Sequence, residues 1–124
     1  MLRNPEADTV TPQEFAHAIA IVESADRSNP PMGDDGRARG RYQVHPDFYE
    51  EWMTRLNLHA QLGETWDGLD SRIVQGYFTF RTGMGLTPVQ AAVSYHRGHI
   101  CREGDSDWLA DDYAARFINA AVTV

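Results

Sequence analysis

The sequence predicts a mainly α-helical fold of five or six helices, with at most a short β-hairpin. Apolar residues recur at helical spacing through much of the chain, and little of it has the pattern of a strand. Capping boxes at residues 11–14 and 87–90, each beginning Thr-Pro, mark two helix starts. The length of 124 residues fits one domain, which can bury a core without disulfides or metals. We expect residues 1–10 to be a loose leader and residues 11–124 to be that single domain.

The first helix is the best defined element. Thr11 can cap it, and an apolar stripe of Phe15, Ile19 and Val22 follows at helical spacing. Glu23 falls at the edge of this stripe, near the end of the helix. Its carboxyl is therefore predicted to be half-buried while facing a cleft.

Turn-forming residues separate the first helix from the second. Residues 26–40 are rich in proline, glycine and aspartate, and Asp35 with Gly36 favours the turn of a short hairpin. Residues 42–44, Tyr-Gln-Val, are open to two interpretations, a short strand or the lead into the next helix.

Four more helices are predicted from apolar residues spaced three or four positions apart. The third helix carries a stripe of Leu69, Ile73, Tyr77 and Phe80. In order, the four are a helix over about residues 47–58, a helix that follows a break at 63–68 and ends near Gly83, a helix from Thr87 to Gly98, and a last helix capped by Asp107.

The charge and composition of the chain exclude several classes of partner. Eighteen acidic residues against eleven arginines and no lysine give a net charge of −7, which argues against nucleic acid. No apolar run is long enough to cross a bilayer, and residues 1–10 contain no secretory signal, so we expect no membrane insertion. The single cysteine, Cys101, excludes an internal disulfide. We expect a monomer without a metal or other cofactor.

Four short segments contain the residues on which a function can be based. Glu23-Ser24 ends the first helix, and Gly33-Asp34 follows in the turn region. Residues 40–44 read Gly-Arg-Tyr-Gln-Val, and residues 94–98 read Ser-Tyr-His-Arg-Gly. A carboxylic acid beside apolar neighbours keeps its proton to a higher pH, as a general acid must.

In their order and spacing, these segments resemble the lysozyme-like superfamily, in particular goose-type lysozymes and soluble lytic transglycosylases. In that group a catalytic glutamate, usually followed by serine, ends a helix. A Gly-x-x-Gln-hydrophobic segment then lines the cleft, and a later helix carries an Ala-Tyr-Asn-Ala-Gly-like segment. The resemblance covers about residues 11–98 and implies an α+β lysozyme-like fold that is mostly helical.

The resemblance implies a role for each matching residue. Glu23 would be the general acid, and Asp34 would position the attacking water, with the adjacent Asp35 as an alternative. His45 stands where goose-type enzymes have a second aspartate, and His96 stands where the family has asparagine. The substrate-binding residues that the resemblance implies are Ser24, Gly40, Tyr42, Gln43, Tyr95 and His96.

Arginines are concentrated in the glycine-rich segment. Arg37, Arg39 and Arg41 are predicted to form a solvated turn face. The alternative is that their guanidinium forks contact the carboxylates of a peptide stem or lactyl group. Together with Arg97 they would make the cleft less negative than the whole chain.

The resemblance thus implies an enzyme that cleaves the β-1,4 bond between N-acetylmuramic acid and N-acetylglucosamine in peptidoglycan. Hydrolysis and anhydro-forming lytic transglycosylation both stay open. The alternative is a lysozyme-like fold used for binding or as a structural part, without catalysis. We expect synthesis in the cytoplasm and delivery to the bacterial cell wall or periplasm by phage lysis, a virion or a secretion apparatus.

Overall fold

The computed structural model of the protein consists of helices joined by turns. It describes residues 10–27, 30–33, 36–98 and 112–122. Within these ranges two isolated antiparallel bridges occur, and no sheet. The five helices are α1 Pro12–Ser24, α2 Pro46–Arg55, α3 Trp66–Gly83, α4 Pro88–Arg97 and α5 Asp112–Val122. The predicted mainly α-helical class is confirmed.

Threonine caps begin three of the helices. Thr11 and Thr87 each accept a hydrogen bond from the backbone N–H three residues later and complete the two predicted capping boxes. Thr65 caps α3 through the same kind of bond, at 3.0 Å. Because of this cap α3 begins at Trp66, so the predicted break over residues 63–68 was too long.

Helices α1, α3 and α5 share one apolar core around α4. The ring of Phe15 lies 4.6 Å from that of Phe78 and 5.5 Å from that of Phe117. Burying each such side chain stabilises the fold by about 1.5–3 kcal/mol. Residues 88–95 of α4 are all buried, so this helix lies inside the core and not on the surface.

The buried stripe of α3 ends on a charged residue. Leu69, Ile73 and Tyr77 are buried as predicted, and Arg81 takes the next position four residues on, with 8% of its surface exposed. Phe80, which the sequence placed in the stripe, is 37% exposed, so that prediction was wrong. Residues four apart lie on the same face of a helix, so the buried face of α3 continues from Tyr77 to Arg81.

A second aromatic cluster joins α2, α3 and α4. The ring of Tyr77 lies 4.7 Å from Trp52, 5.4 Å from Phe48 and 5.7 Å from Tyr95. Edge-to-face arrangements dominate these contacts, which is the geometry that aromatic pairs prefer. The cluster forms a rigid wall beside the end of α1.

Residues 42–44 belong to a tight turn directly before His45, the cap of α2, so they lead into the next helix and do not form a strand. Gly40 and Gln43 have left-handed backbone angles, with φ of 76° and 49°, and the Gln43 N–H donates to Gly40 O at 3.1 Å. Arg39 and Val44 close the turn with paired backbone hydrogen bonds. Glycine adopts positive φ readily, which explains why the chain turns at Gly40.

Several predictions concern the ends of the chain and one turn. Of the predicted leader, Val10 is described, and it is buried against the core. The proposed cap at Asp107 and the hairpin residue Asp35 lie outside the described ranges. In the parts that are described, no helix has the length and apolar character needed to cross a membrane.

Candidate active site

Glu23 lies in the last turn of α1, which two left-handed residues bring to an end. Ala25 and Asp26 have φ of 54° and 61°, and each donates its N–H to a carbonyl of the preceding turn at 3.0 Å. This closing turn stops the helix immediately after Glu23-Ser24. Glu23 is thereby held half-buried at the edge of the core.

The pKa of Glu23 is set by opposing influences. Burial raises it, and a hydrogen bond from Tyr113 and the nearby His96, Arg116 and His45 lower it in part. Tyr113 donates its hydroxyl to Glu23 Oε2 at 2.7 Å. The net shift of the pKa is upward, so this carboxyl holds its proton to a higher pH than an exposed glutamate.

Tyr113 is itself held in place on α5. It is 3% exposed, and the His96 ring stacks on it with centroids 4.2 Å apart and an angle of 9° between the planes. Burial, followed by the neighbouring Glu23 charge, raises the pKa of Tyr113 well above its ordinary value. Its hydroxyl therefore stays protonated and remains a hydrogen-bond donor to the acid.

The Gln43 amide joins the two halves of the glycine-rich segment. Its Oε1 accepts from the Gly33 N–H at 3.0 Å, and its Nε2 donates to Gly40 O at 2.9 Å. A Cβ atom on Gly33 would lie 2.5 Å from Oε1, so a side chain there would displace the amide. These bonds hold Gln43 on the wall of a cavity that Glu23 also lines.

Ser24 connects α1 to the same turn. Its buried hydroxyl donates to Arg41 O at 2.7 Å, with Ala20 O at 3.0 Å as an alternative acceptor. Ser24 does not line the cavity. The structure therefore gives it the role of holding the end of α1 against the turn, and not that of a substrate contact.

Of the other predicted substrate contacts, Tyr95 and His96 line the cavity, whereas Gly40 and Tyr42 do not. The Tyr95 hydroxyl donates to the backbone oxygen of Tyr42 at 2.6 Å, which ties α4 to the turn. The Tyr42 side chain lies on another face, beside Asp67. Gly40 and Tyr42 thus serve the site through their backbone oxygens.

The cavity has a volume of about 780 Å³. Glu23, Gln43, Tyr95 and His96 come from α1, the turn and α4, and all four line it. Ligand sites in proteins have volumes of roughly 300–1,000 Å³ and combine apolar walls with a few polar groups. A buried acid on such a wall is suited to giving a proton to a bound ligand.

The second predicted acid cannot be placed in this geometry. Asp34 and its alternative Asp35 lie outside the described residues. Among those that are described, Asp47 and Glu51 are the other carboxylates on the cavity. Each is paired with an arginine, Asp47 with Arg37 at 3.7 Å and Glu51 with Arg55 at 3.1 Å.

The arginines of the glycine-rich segment are paired within the protein. Nearby carboxylates therefore largely compensate their positive charge. The prediction of a solvated turn face was wrong for Arg39 and Arg41, whose side chains are partly buried in ion pairs. The pairs are Arg37 with Asp47 at 3.7 Å, Arg39 with Asp70 at 3.4 Å, and Arg41 with Asp26 at 2.6 Å and Asp67 at 3.1 Å.

Sequence reasoning missed several groups around Glu23. Tyr113, Arg116 and His45 received no role beside the acid from the sequence. Arg116 reaches α1 through a bond from Nη2 to Val22 O at 2.8 Å. No local pattern pairs Tyr113 with an acid 90 positions earlier, so only the packing of α5 on α1 could reveal it.

Two further observations concern metal ions and known proteins. Within the described ranges, no group of three or more His, Cys, Asp or Glu side chains is placed to hold a metal ion. No family model, curated protein or solved structure matches the chain. The case for a function therefore depends on the residues and geometry of the cavity.

Proposed function

We propose that the chain is a muramidase that cleaves the β-1,4 bond between N-acetylmuramic acid and N-acetylglucosamine in peptidoglycan. The observation that carries the proposal is the Glu23 carboxyl, whose pKa burial raises and which lines a cavity together with Gln43 and Tyr95. The resemblance of residues 11–98 to goose-type lysozymes and soluble lytic transglycosylases supports the same reaction. The partner is then the glycan strand.

Glu23 acts in this proposal as the general acid. Glycosidic bond cleavage requires a proton on the leaving oxygen, and a raised pKa keeps that proton on Glu23 to a higher pH than on an exposed glutamate. Tyr113 holds Oε2, and no described residue donates a hydrogen bond to Oε1. The Oε1 atom is thus the one from which the proton passes to the glycosidic oxygen.

Two routes complete the reaction. If Asp34 or Asp35 holds a water on the opposite face of the sugar, that water attacks C1 and the glycosidic bond is hydrolysed with inversion, which needs carboxyl groups roughly 6.5–9.5 Å apart. If no carboxylate holds water, the 6-hydroxyl of the muramic acid attacks C1 and forms a 1,6-anhydro product. Glu23 then acts first as acid and afterwards as the base that accepts the hydroxyl proton.

A second candidate is a lysozyme-like binding or structural protein without catalysis. The observation in its favour is that histidines stand at positions 45 and 96, where the resembling family has aspartate and asparagine. In this alternative the cavity binds a glycan strand, and Glu23 transfers no proton.

Digestion of purified peptidoglycan by wild type and by Glu23→Gln, read by mass spectrometry, tests the proposal. We expect soluble muropeptides from wild type and a rate about 10²–10⁴-fold lower from the variant, since that is the usual contribution of a general acid. Glu50→Gln, an exposed glutamate on α2 away from the cavity, is the matched control and should retain full activity.

The products also separate the remaining alternatives. Reducing-end muropeptides indicate hydrolysis, and fragments lighter by one water indicate the anhydro route. A folded wild-type protein that binds several wall types but releases nothing contradicts the enzymatic proposal and supports the binding protein.

A further inference from the structure

Arg81 is a buried cation on the wall of the cavity. It lies in the last turn of α3 and is 8% exposed. Its Nε has no hydrogen-bond partner, and the hydrogen bond formed by its Nη1 goes to the sulfur of Met84 at 3.5 Å. A guanidinium has five N–H donors, so most of its hydrogen-bonding capacity is unused.

No carboxylate of the described residues neutralises Arg81. The two acids that share its part of the cavity wall, Asp47 and Glu51, are paired with Arg37 and Arg55. Burying a charge without a counter-ion is costly, and a bound anion would remove that cost. The site is therefore complementary to a negatively charged group brought by a ligand.

Aromatic rings orient the guanidinium. Its central carbon lies 4.9 Å from the centroid of Trp52 and 5.1 Å from that of Tyr77. Both rings are almost fully buried and both line the cavity. They hold the guanidinium in place without using its N–H groups, which remain available for a planar, bidentate partner such as a carboxylate.

Arg81 and Glu23 reach the cavity from different helices. Arg81 lies on α3 and Glu23 on α1, and both line the cavity. The cavity thus contains a proton-donating region at Glu23 and a cationic region at Arg81.

We propose that Arg81 binds a carboxylate of the glycan substrate, so that the cavity prefers muramic-acid-containing strands to neutral N-acetylglucosamine polymers. This inference rests on the proposed function and adds to it the residue that selects the substrate. The fork of arginine matches a carboxylate better than the point charge of lysine does. The lactyl group of muramic acid and the acids of its peptide stem supply such carboxylates.

Calorimetric titration of the Glu23→Gln protein with two probes tests the inference without turnover. The probes are a neutral N-acetylglucosamine tetrasaccharide and a tetrasaccharide of alternating N-acetylglucosamine and N-acetylmuramic acid with free lactyl carboxylates. We expect the acidic probe to bind about tenfold more tightly, the usual scale for one charge-assisted bidentate contact. Adding Arg81→Gln should remove that preference and leave the affinity for the neutral probe unchanged.

Arg72 offers a matched control. It lies on α3 like Arg81, but it is paired with Glu64 at 2.8 Å, and neither of these two residues lines the cavity. Arg72→Gln should leave both affinities unchanged. Arg81→Lys should keep part of the preference, since it retains the charge and loses the fork.

Each other outcome overturns the inference. If the Glu23→Gln protein, which retains Arg81, binds the two probes with equal affinity, the inference is wrong, and this result does not depend on whether the Arg81 variants fold. If a folded Arg81→Gln protein loses affinity for both probes to the same extent, Arg81 has a structural role. If neither probe binds, the proposed function fails together with the inference, whereas binding without preference overturns the inference alone.

Discussion

The proton on Glu23 is controlled by two features that act in opposite directions. Burial at the edge of the α1 stripe favours the neutral carboxyl, and the hydroxyl of Tyr113 favours the charged form by donating to Oε2. The acid also stands at a helix C-terminus, where the helix dipole disfavours negative charge. The position thus favours a proton donor over a permanent carboxylate.

Tyr113→Phe should raise the pKa of Glu23 further. The change removes the hydrogen bond that lowers this pKa and retains the ring on which His96 stacks. A side-chain ¹³C NMR titration of Glu23 measures the shift directly, and the alkaline limb of a pH–activity profile should move to higher pH with it. The free energy of unfolding should fall by about 1 kcal/mol for the lost bond.

Tyr49→Phe is the control for that experiment, because Tyr49 lies outside the cavity. It should leave the Glu23 titration unchanged. A Tyr113→Phe protein in which the pKa of Glu23 stays the same or falls would show that burial, and not the hydroxyl, determines the charge of the acid.

The sequence predicted correctly for some residues, and wrongly for others, that they line the cavity. Glu23, Gln43, Tyr95 and His96 were singled out by motif order, and all of them line the cavity. Ser24 belongs to the same motif, but its hydroxyl donates to Arg41 O and so holds the end of α1 against the turn. A motif match identifies a position in the fold, and the direction of the side chain then decides between contact and support.

At the scale of the element, the turn over residues 33–44 depends on one side-chain amide. Gln43 bonds to Gly33 and Gly40, and Ser24 holds the turn to the end of α1. Two isolated bridges, and no sheet, pair the backbone of those residues of the turn that the structure describes, 33 and 36–44. Specific hydrogen bonds therefore hold the shape of this part of the turn.

Gly33→Ala should therefore disturb the site as well as the fold. The new Cβ would meet Gln43 Oε1 at 2.5 Å, and the amide would have to move and give up its two backbone bonds. We expect a loss of about 1–2 kcal/mol in the free energy of unfolding, at roughly 1 kcal/mol for each bond. Chemical denaturation measures this loss, and calorimetry with a glycan probe should show weaker binding.

Gly83→Ala is the matched control, since a Cβ at that position at the end of α3 meets nothing within 4 Å. It should be neutral or stabilising by up to about 1 kcal/mol. Combining Gly33→Ala with Gln43→Ala should cost less than the sum of the two single changes, because the clash is then gone. Strict additivity would show that Gln43 does not restrict position 33.

At the scale of the whole molecule, a chain with a net charge of −7 buries the carboxyl of Asp70. Asp70 on α3 is 2% exposed and lies 3.4 Å from Arg39, behind the Gly40 turn. Burial raises the pKa of Asp70 to about 6, against the partial opposing effect of Arg39. The stability of the fold therefore depends on pH through this group.

Asp70→Asn should become more stable relative to wild type as the pH rises from about 4 to about 7. Between the ordinary pKa of 3.8 and the folded value of about 6, the folded state binds more protons than the unfolded state. The contribution of Asp70 to stability consequently falls as the pH rises through that window. Asparagine cannot ionise, so the variant avoids this fall.

Thermal unfolding followed by circular dichroism at several pH values in that window measures the difference. Asp47→Asn, which removes an exposed carboxylate, should show no comparable trend. If the Asp70→Asn protein instead lost stability relative to wild type as the pH rose, the Arg39 ion pair would outweigh the cost of burial.

The sequence by itself determined the mainly helical class, where α1 begins, where α4 begins and ends, and most of the apolar stripes that α1 and α3 bury. Capping by Thr11 and Thr87, the closing Gly98 and the spacing of apolar residues act within a few positions, so they can be read locally. Only the tertiary structure decided that Tyr113 donates to Glu23 and that Arg81 faces the cavity without a counter-ion. These properties depend on burial and on partners distant in the chain, and neither is encoded in local spacing.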